Sequence, residues 1–277
     1  MSAFVINPYA FKKAFVPTDI SGLKLWLDAS VGLFDATSGG SAVTTDGSSV
    51  ARWEDQSGNG VHATQATSAN RPVLKTAIKN SKNVLRFDGS NDFLENVSTA
   101  FQELTDLTMV TVSAPNININ SETFYGIAGI AFTTNTRVMM HYGGTSVGIA
   151  GEGTDPRYTW LCVFSGSSAQ REASAFETNI NSGTFSLGLG TYTTTGTELF
   201  YNGTSQGLNN AGQTATFSSM IGPTLTNVDF RVGQRFGASW GSPLNGDVAE
   251  VLIYDSVLTT AQRQDVETYL NDKYAIY

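Results

Sequence analysis

The sequence is poor in cysteine and in charge. Its 277 residues include one cysteine, Cys162, so no disulfide can form within the chain. Cys162 lies in an apolar run, and we expect an unreactive core residue there because thiol activation needs neighbouring positive charge. Charged residues make up 14% of the chain, against roughly 25% in an average globular protein. Low charge with 28 glycines and 11% aromatic residues favours short strands joined by turns and argues against disorder.

Long apolar runs and basic clusters are also missing. No run of 18 apolar residues occurs, so we expect no membrane insertion. With a net charge of −8 and no basic cluster beyond Lys12 and Lys13, the chain lacks the positive surface that nucleic acids require, and we exclude nucleic acid as a partner. The positive charges follow the first short apolar stretch, which breaks at Pro8. This order is unlike a secretory signal, so we expect synthesis in the cytoplasm.

Sequence patterns for binding zinc or phosphate are absent as well. No zinc-type spacing of cysteine and histidine and no phosphate-binding Gly-x-x-x-x-Gly-Lys loop occurs. The two histidines, His62 and His141, lie far apart in the sequence. We interpret both as structural residues.

Strand signals fill most of the chain. Leu23, Leu25 and Leu27 alternate with polar or aromatic residues, which is the period of a strand. Similar runs recur at roughly 8–15-residue intervals with turn signals between them, as in a sandwich or barrel. One of these turns is Asn202-Gly203, a pair typical of a type I′ hairpin.

The two ends of the chain differ from this pattern. Residues 260–274 have helical spacing, and Thr259 with Gln262 forms a capping-box pattern at the start. Residues 1–20 contain two prolines and show no clear period. We therefore predict an all-β fold, a sandwich or barrel with one short C-terminal helix, in which an N-terminal arm (1–20) precedes a single domain (21–277).

Four segments in this order resemble a known family. They are Leu25–Ser30, Trp53–Gly60, Phe87–Leu94 and Gly246–Asp255. Together they resemble the concanavalin A-like lectin/glucanase superfamily in its laminin-G-like jelly-roll branch. The resemblance spans residues 22–275 and implies a jelly roll of two antiparallel sheets. The superfamily includes sugar-binding modules, adhesion domains, glucanases and outer proteins of bacterial viruses, so it indicates a fold more than a function.

The opening 5–9 is similar to that of virion proteins from tailed bacteriophages. This similarity and the arm suggest a non-enzymatic structural virion protein, either a capsid decoration or a fibre subunit at the virion surface. Its partners would be other virion proteins or copies of itself. The arm residues expected to anchor it are Phe4, Ile6, Pro8, Tyr9 and Phe11.

A carbohydrate-binding adhesin or tail receptor-binding module, placed outside the cell or on its surface, is the alternative. Sugar rings stack on exposed aromatic side chains, and the candidates are Trp240, Trp53 and Trp160, although aromatic residues of a sandwich are by default buried.

A glycan hydrolase is the third hypothesis. The superfamily's glucanases carry a Glu-x-Asp-x-x-Glu strand, and this spacing is missing. Asp247 and Glu250 are three residues apart and would lie on opposite faces of a regular strand. We therefore assign no catalytic residue and expect no enzymatic activity.

Two oxygen-rich segments are candidates for calcium, although no cofactor is required. Calcium prefers six to eight oxygen ligands, and the side chains offered are those of Asp55, Ser57, Asn59, Asp88, Asn91 and Asp92. The same residues could instead form Asx turns, in which the side chain bonds its own backbone.

Overall fold

The computed structural model describes residues 13–102, 104–119, 124–133, 136–143, 157–163, 170–176, 180–193, 197–206, 228–234 and 243–277. Short 3₁₀ turns lie at Pro17–Asp19 and Ser68–Asn70, and the single helix of these ranges is α1 (Thr260–Tyr274). The strands are β1 (Leu23–Asp28), β2 (Leu33–Phe34), β3 (Arg52–Trp53), β4 (Ala63–Thr64), β5 (Val73–Lys79), β6 (Lys82–Asp88), β7 (Leu94–Ser98), β8 (Leu107–Pro115), β9 (Tyr125–Thr133), β10 (Thr136–Tyr142), β11 (Arg157–Val163), β12 (Gln170–Phe176), β13 (Ser186–Tyr192), β14 (Thr197–Tyr201), β15 (Thr204–Ser205), β16 (Val228–Val232) and β17 (Asn245–Tyr254).

These strands form two antiparallel sheets. Sheet A has the order β15-β14-β13-β8-β17-β6-β5, and β1 also pairs with β17. Sheet B has the order β12-β11-β10-β9-β16-β7-β4-β3-β2. The predicted all-β, two-sheet antiparallel sandwich with one C-terminal helix is confirmed.

Two layers of apolar side chains hold the sandwich together. Leu25 and Leu27 of β1 point into the layer between the sheets, where they meet residues of sheet B such as Phe230. The second layer lies between sheet A and α1. Trp26 packs against this second layer, because successive side chains of a strand face opposite sides. Sheet A is therefore covered on both faces, and the alternation seen in the sequence sorts its side chains between two cores.

Helix α1 begins with the predicted capping box. The backbone N–H of Gln262 donates to Thr259 Oγ1 at 3.3 Å, and that of Thr259 donates to Gln262 Oε1 at 2.9 Å. The helix ends at Ala275, which adopts a left-handed conformation with φ of 50°. Val266 and Leu270 are buried in the layer beneath the helix. In the described ranges, no helix has the length and apolarity needed to cross a membrane.

A β-bulge in β17 changes which side chains share a face. The register shifts between Val248 and Glu250 on pairing with β8. Val248 belongs to the layer between the sheets, whereas Ala249 belongs to the layer under α1. Asp247 therefore points to the helix side, and so does Glu250, which bonds Lys273 of α1. The prediction that Asp247 and Glu250 lie on opposite faces is wrong, because the bulge adds one residue to the alternation.

The described end of the predicted arm packs on the domain itself. Ile20 is buried, and Phe15 lies against the layer beneath α1. The hydroxyl of Tyr254 donates to the carbonyl of Pro17 at 3.1 Å. The proposed anchoring residues lie outside the described residues, so the arm and its partners stay a prediction; they are Phe4, Ile6, Pro8, Tyr9 and Phe11.

The predicted Asn202-Gly203 turn is present between β14 and β15. Both residues have positive φ, 48° and 75°, as a type I′ hairpin requires. This hairpin lies beside the last turns of α1 and forms one wall of a cleft described below.

Replacing Gly233 by alanine should destabilise the fold. Its φ is +87°, and a Cβ atom there would come 2.1 Å from Cδ1 of the buried Phe87. Positive φ and overpacking together are expected to cost about 2–4 kcal/mol. Urea unfolding would measure the loss. Gly58→Ala is the matched control, because its φ is +91° with nothing within 4 Å of a Cβ. Equal losses in the two variants would contradict the clash.

Candidate functional site

Of the three tryptophans predicted to stack on a sugar, only Trp53 has a described side chain. Trp53 is completely buried between the sheets, so the prediction that a sugar stacks on it is wrong. Its strand β3 continues sheet B, and its ring faces the core. Trp160 lies in β11, where only the backbone is described, and Trp240 lies outside the described residues.

The first proposed calcium segment is an Asx turn. The carboxylate of Asp55 accepts the backbone N–H groups of Ser57 at 2.8 Å, Trp26 at 2.9 Å and Val61 at 3.1 Å. The side-chain amide of Asn59 donates to the carbonyl of Leu23 at 2.8 Å. These bonds fasten the loop to β1, which matches the alternative interpretation of the segment.

The second segment, between β6 and β7, holds two neighbouring carboxylates. Asp88 Oδ1 accepts the backbone N–H of Ser90 at 2.7 Å, and Asp92 Oδ2 accepts that of Asp88 at 3.1 Å. Burial, and then the negative charge of Asp88, raises the pKa of Asp92 to about 6. Asn91 donates to the side chain of Asn70 at 3.0 Å. Within the described ranges no three acidic, histidine or cysteine side chains are grouped to hold a metal, and calcium stays a prediction.

A cleft that the sequence did not reveal lies along one side of α1. It has a volume of about 820 Å³, within the range of small-molecule sites. We call it the aromatic cleft, and its walls come from the end of the arm, the β5–β6 hairpin and the helix. Its lining residues are Lys13, Ala14, Phe15, Val16, Asn80, Lys82, Asp265, Thr268, Tyr269, Asp272 and Lys273.

Two aromatic rings form the apolar part of this cleft. Phe15 and Tyr269 meet edge to face, with ring centroids 6.0 Å apart and an interplanar angle of 65°. The side-chain amide of Asn80 donates to the carbonyl of Lys273 at 3.0 Å and ties the hairpin to the helix. The cleft is thus assembled by three segments distant in sequence, because both the arm and the hairpin contact α1.

Beneath the cleft lies a buried ionic cluster centred on Glu250. Lys273 Nζ donates to Glu250 Oε2 and to Asp28 Oδ2, both at 2.6 Å. The indole N–H of Trp26 donates to Glu250 Oε1 at 2.8 Å, and the hydroxyl of Tyr269 donates to the same oxygen at 3.1 Å. Both oxygens of Glu250 are therefore satisfied, and the cluster joins β1, β17 and α1.

Burial controls the electrostatics of this cluster. It raises the pKa of Glu250 above the usual range for a carboxyl, and the charge of Lys273 opposes that rise. It also raises the pKa of Tyr269, and the negative charge of Glu250 adds to the shift. The tyrosine hydroxyl therefore stays protonated and serves as a donor to the carboxylate.

The sequence indicated these residues only as parts of separate motifs. Asp28 lies in one of the four family segments, Glu250 lies in another, and Lys273 lies in the helix. The available signal was that Asp28 and Glu250 are acidic residues within mostly apolar strand segments. Only the pairing of β1 with β17, with Asp28 opposite Glu250, brings the two together.

No protein-family model and no curated protein sequence matches the chain. Solved structures do match. Trypanosoma rangeli sialidase has a TM-score of 0.54 and 14% identity, with 91% of this chain and 33% of that one covered. An arabinofuranosidase bound to arabinofuranosyl-alpha-1,2-xylobiose has a TM-score of 0.57 and 14% identity, covering 82% and 51%. The botulinum neurotoxin serotype D binding domain has a TM-score of 0.55 and 10% identity, covering 90% and 51%.

These matches show the fold. The chain spans a third to a half of the length of these proteins. Two of them are glycosidases and one is the binding domain of a toxin. Their β-sandwich folds are compatible with a lectin-like jelly roll. The expectation that the chain is not an enzyme is contradicted, because two of these three neighbours are glycosidases.

Removing the cation from the buried cluster should be strongly destabilising. In Lys273→Met, Glu250 and Asp28 would stay buried without their partner, and about 3–5 kcal/mol of folding free energy should be lost. Chemical denaturation would measure this loss. Lys24→Met is the matched control because its pair with Asp255 is partly exposed, and it should cost at most about 1 kcal/mol.

The same variant should respond to pH. The pKa of Glu250 is raised in the folded state, so folded protein holds its proton more firmly than unfolded protein, and stability falls as pH rises. The loss in Lys273→Met should therefore be smaller at about pH 4 than at neutral pH. A loss independent of pH would contradict a charge effect.

Asp92→Asn should make the chain more stable at neutral pH but not in acid. Because the folded pKa is about 6 against an ordinary 3.8, the wild type loses stability as pH rises through this window. The asparagine variant carries no charge to bury and should lack that loss. Unfolding in chelator at acidic and neutral pH would measure it, with Asp272→Asn as an exposed control. A calcium-dependent gain in the wild type alone would support the metal prediction.

Proposed function

We propose that the chain is a carbohydrate-binding module of the laminin-G-like jelly-roll kind, and that a saccharide occupies the aromatic cleft. The observation that carries the proposal is the composition of this cleft. It combines two aromatic side chains with polar groups from the helix and a hairpin, above a floor fixed by the Glu250 cluster.

The chemistry of the cleft fits that of a sugar. A pyranose ring presents an apolar C–H face, which packs on aromatic rings, and an edge of hydroxyls, which need donors and acceptors. Phe15 and Tyr269 supply the apolar contact. Lys82, Asp265 and Asp272 line the same cleft. Their side chains form no hydrogen bond or ion pair with the described part of the chain. These side chains are free to bond ligand hydroxyls.

The cleft is also preorganised. The hydroxyl of Tyr269 is bonded to Glu250 and accepts from Lys273 at 3.2 Å. A ring held in place before binding loses little conformational entropy when a ligand arrives, and this favours affinity. The neighbouring structures support the proposal, since they include two glycosidases and a toxin binding domain. The virion location inferred from the sequence stays a prediction.

A glycan array followed by calorimetry on the best ligand would test the proposal. Phe15→Ala should weaken binding about tenfold, because an aromatic contact of this kind contributes roughly 0.5–1.5 kcal/mol beyond its buried area. Lys82→Ala should also weaken it without affecting folding. Phe34→Ala removes a partly exposed ring outside the cleft and is the control. An array without any ligand, or one whose ligand binds all variants alike, would count against the site.

Glycoside hydrolysis is a second candidate, favoured by the pair Glu250 and Asp28. Retaining hydrolysis uses two carboxyl groups about 5–5.5 Å apart, one with a raised pKa. Glu250 and Asp28 both lie 2.6 Å from the same ammonium, and the pKa of Glu250 is raised. Both are buried beneath Tyr269, so that ring would have to move. Release of reducing sugar by wild type but not by Glu250→Gln would support hydrolysis, and no release from any polysaccharide would remove it.

A further inference from the structure

A second, more polar cleft lies on the other side of α1. We call it the polar cleft. It has a volume of about 460 Å³ and lies between the β14–β15 hairpin and the last turns of the helix. The lining residues that matter here are Asn202, Thr204, Gln264, Glu267 and Tyr277.

Glu267 carries an acceptor that the protein does not use. The residue is only 5% exposed. Its Oε2 accepts from Arg263 Nη1 at 2.5 Å, whereas its buried Oε1 has no hydrogen-bond partner among the described residues. Buried polar atoms are almost always satisfied in native proteins, so an orphan one calls for a partner from outside. Glu267 lines the polar cleft, and a molecule in the cleft can supply the missing donor.

The charge balance identifies the kind of donor. Arg263 already neutralises Glu267, and its guanidinium is itself held 4.0 Å over the ring of Phe200. A metal ion would need further anionic ligands, and the described residues form no group of three metal-ligating side chains. A neutral hydroxyl meets the requirement, because it donates one hydrogen bond without adding charge.

The walls of the polar cleft offer both apolar and polar contacts to a sugar that carries this hydroxyl. Tyr277 is 55% exposed, and its ring provides an apolar surface for a C–H face. Gln264 and Thr204 supply neutral polar groups. Thr268 and Asp272 line both the polar and the aromatic cleft, so the two clefts adjoin across the exposed crest of α1.

We propose that the polar cleft is a second saccharide site, in which a ligand hydroxyl donates to Glu267 Oε1 while the sugar packs against Tyr277. The ligand class rests on the proposed carbohydrate-binding function, but the site is separate from the aromatic cleft. The two can therefore be tested independently.

Nuclear magnetic resonance with methyl glycosides of glucose, galactose and mannose would test the proposal on the full chain. The signals to follow are the carboxyl carbon of Glu267 and the amide of Gly203 for the polar cleft, and the ring of Tyr269 for the aromatic cleft. A hydroxyl that donates to a carboxylate lowers its pKa. Burial raises the pKa of Glu267 in the free protein, so saturating glycoside should shift its titration towards lower pH.

The variants distinguish binding from folding. Glu267→Ala should weaken binding at the polar cleft about tenfold by removing a charged acceptor. Because loss of the Arg263 pair could unfold the helix, Tyr277→Ala is the second variant. Tyr277 is largely exposed and its ring lies beside Gly203, so this variant should weaken the same binding with only a small change in melting temperature. Lys82→Ala, in the aromatic cleft, should leave the polar cleft unaffected.

The pattern of shifted signals distinguishes binding at the polar cleft from binding at the aromatic cleft. Saturable shifts at Glu267 and Gly203 that both variants weaken support the proposal, whether or not Tyr269 responds. Shifts at Tyr269 alone overturn the polar site and leave the proposed function standing. Shifts at Glu267 and Gly203 without any at Tyr269 support this site and contradict the aromatic cleft. No shift at either cleft with any of the three glycosides overturns both.

Discussion

The buried ammonium of Lys273 sits between the carboxylates of Glu250 and Asp28, and most of the helix side of the molecule is arranged around that contact. Each ion would be costly to bury alone, and the cluster is tolerable because each oxygen of Glu250 also accepts from a neighbouring indole or tyrosine. A pair of this kind is a weak source of net stability but a strong geometric constraint. It fixes where α1 lies on sheet A, and so it fixes the walls of both clefts.

The β-bulge in β17 places Glu250 on the helix side of sheet A, where it can pair with Lys273. With a regular alternation, Asp247 and Glu250 would project to opposite sides of sheet A, and one carboxylate would enter the apolar layer between the sheets. The extra residue turns both toward the helix side. There Asp247 is paired with Arg86 at 2.7 Å and Glu250 with Lys273. A local irregularity in one strand thus keeps the inter-sheet layer apolar while it supplies the polar cluster that holds the helix.

The two clefts follow from the helix and its neighbours rather than from the sheets. The amphipathic helix buries Val266 and Leu270 and leaves Thr268 and Asp272 exposed as a crest between two depressions. One depression is completed by Phe15 from the end of the arm, and the other by the Asn202-Gly203 hairpin. This β-sandwich therefore has two clefts on its helix face, where the sequence predictions placed no site.

The sequence by itself determined the strand periodicity, the low charge, the capping box at Thr259 and the Asn202-Gly203 turn, and with them an all-β fold with a C-terminal helix. These features are local, because hydrophobic alternation and turn chemistry act between residues close in the chain. Local pattern could not show that Trp53 faces the core, that the carboxylate of Asp55 accepts from Trp26 of β1, or that Asp28, Glu250 and Lys273 meet. Those outcomes depend on which strands pair and in what register, and a single bulge reverses the facing of every later side chain. Only the tertiary structure decided them, since contacts between residues more than 200 positions apart leave no periodic trace in the sequence.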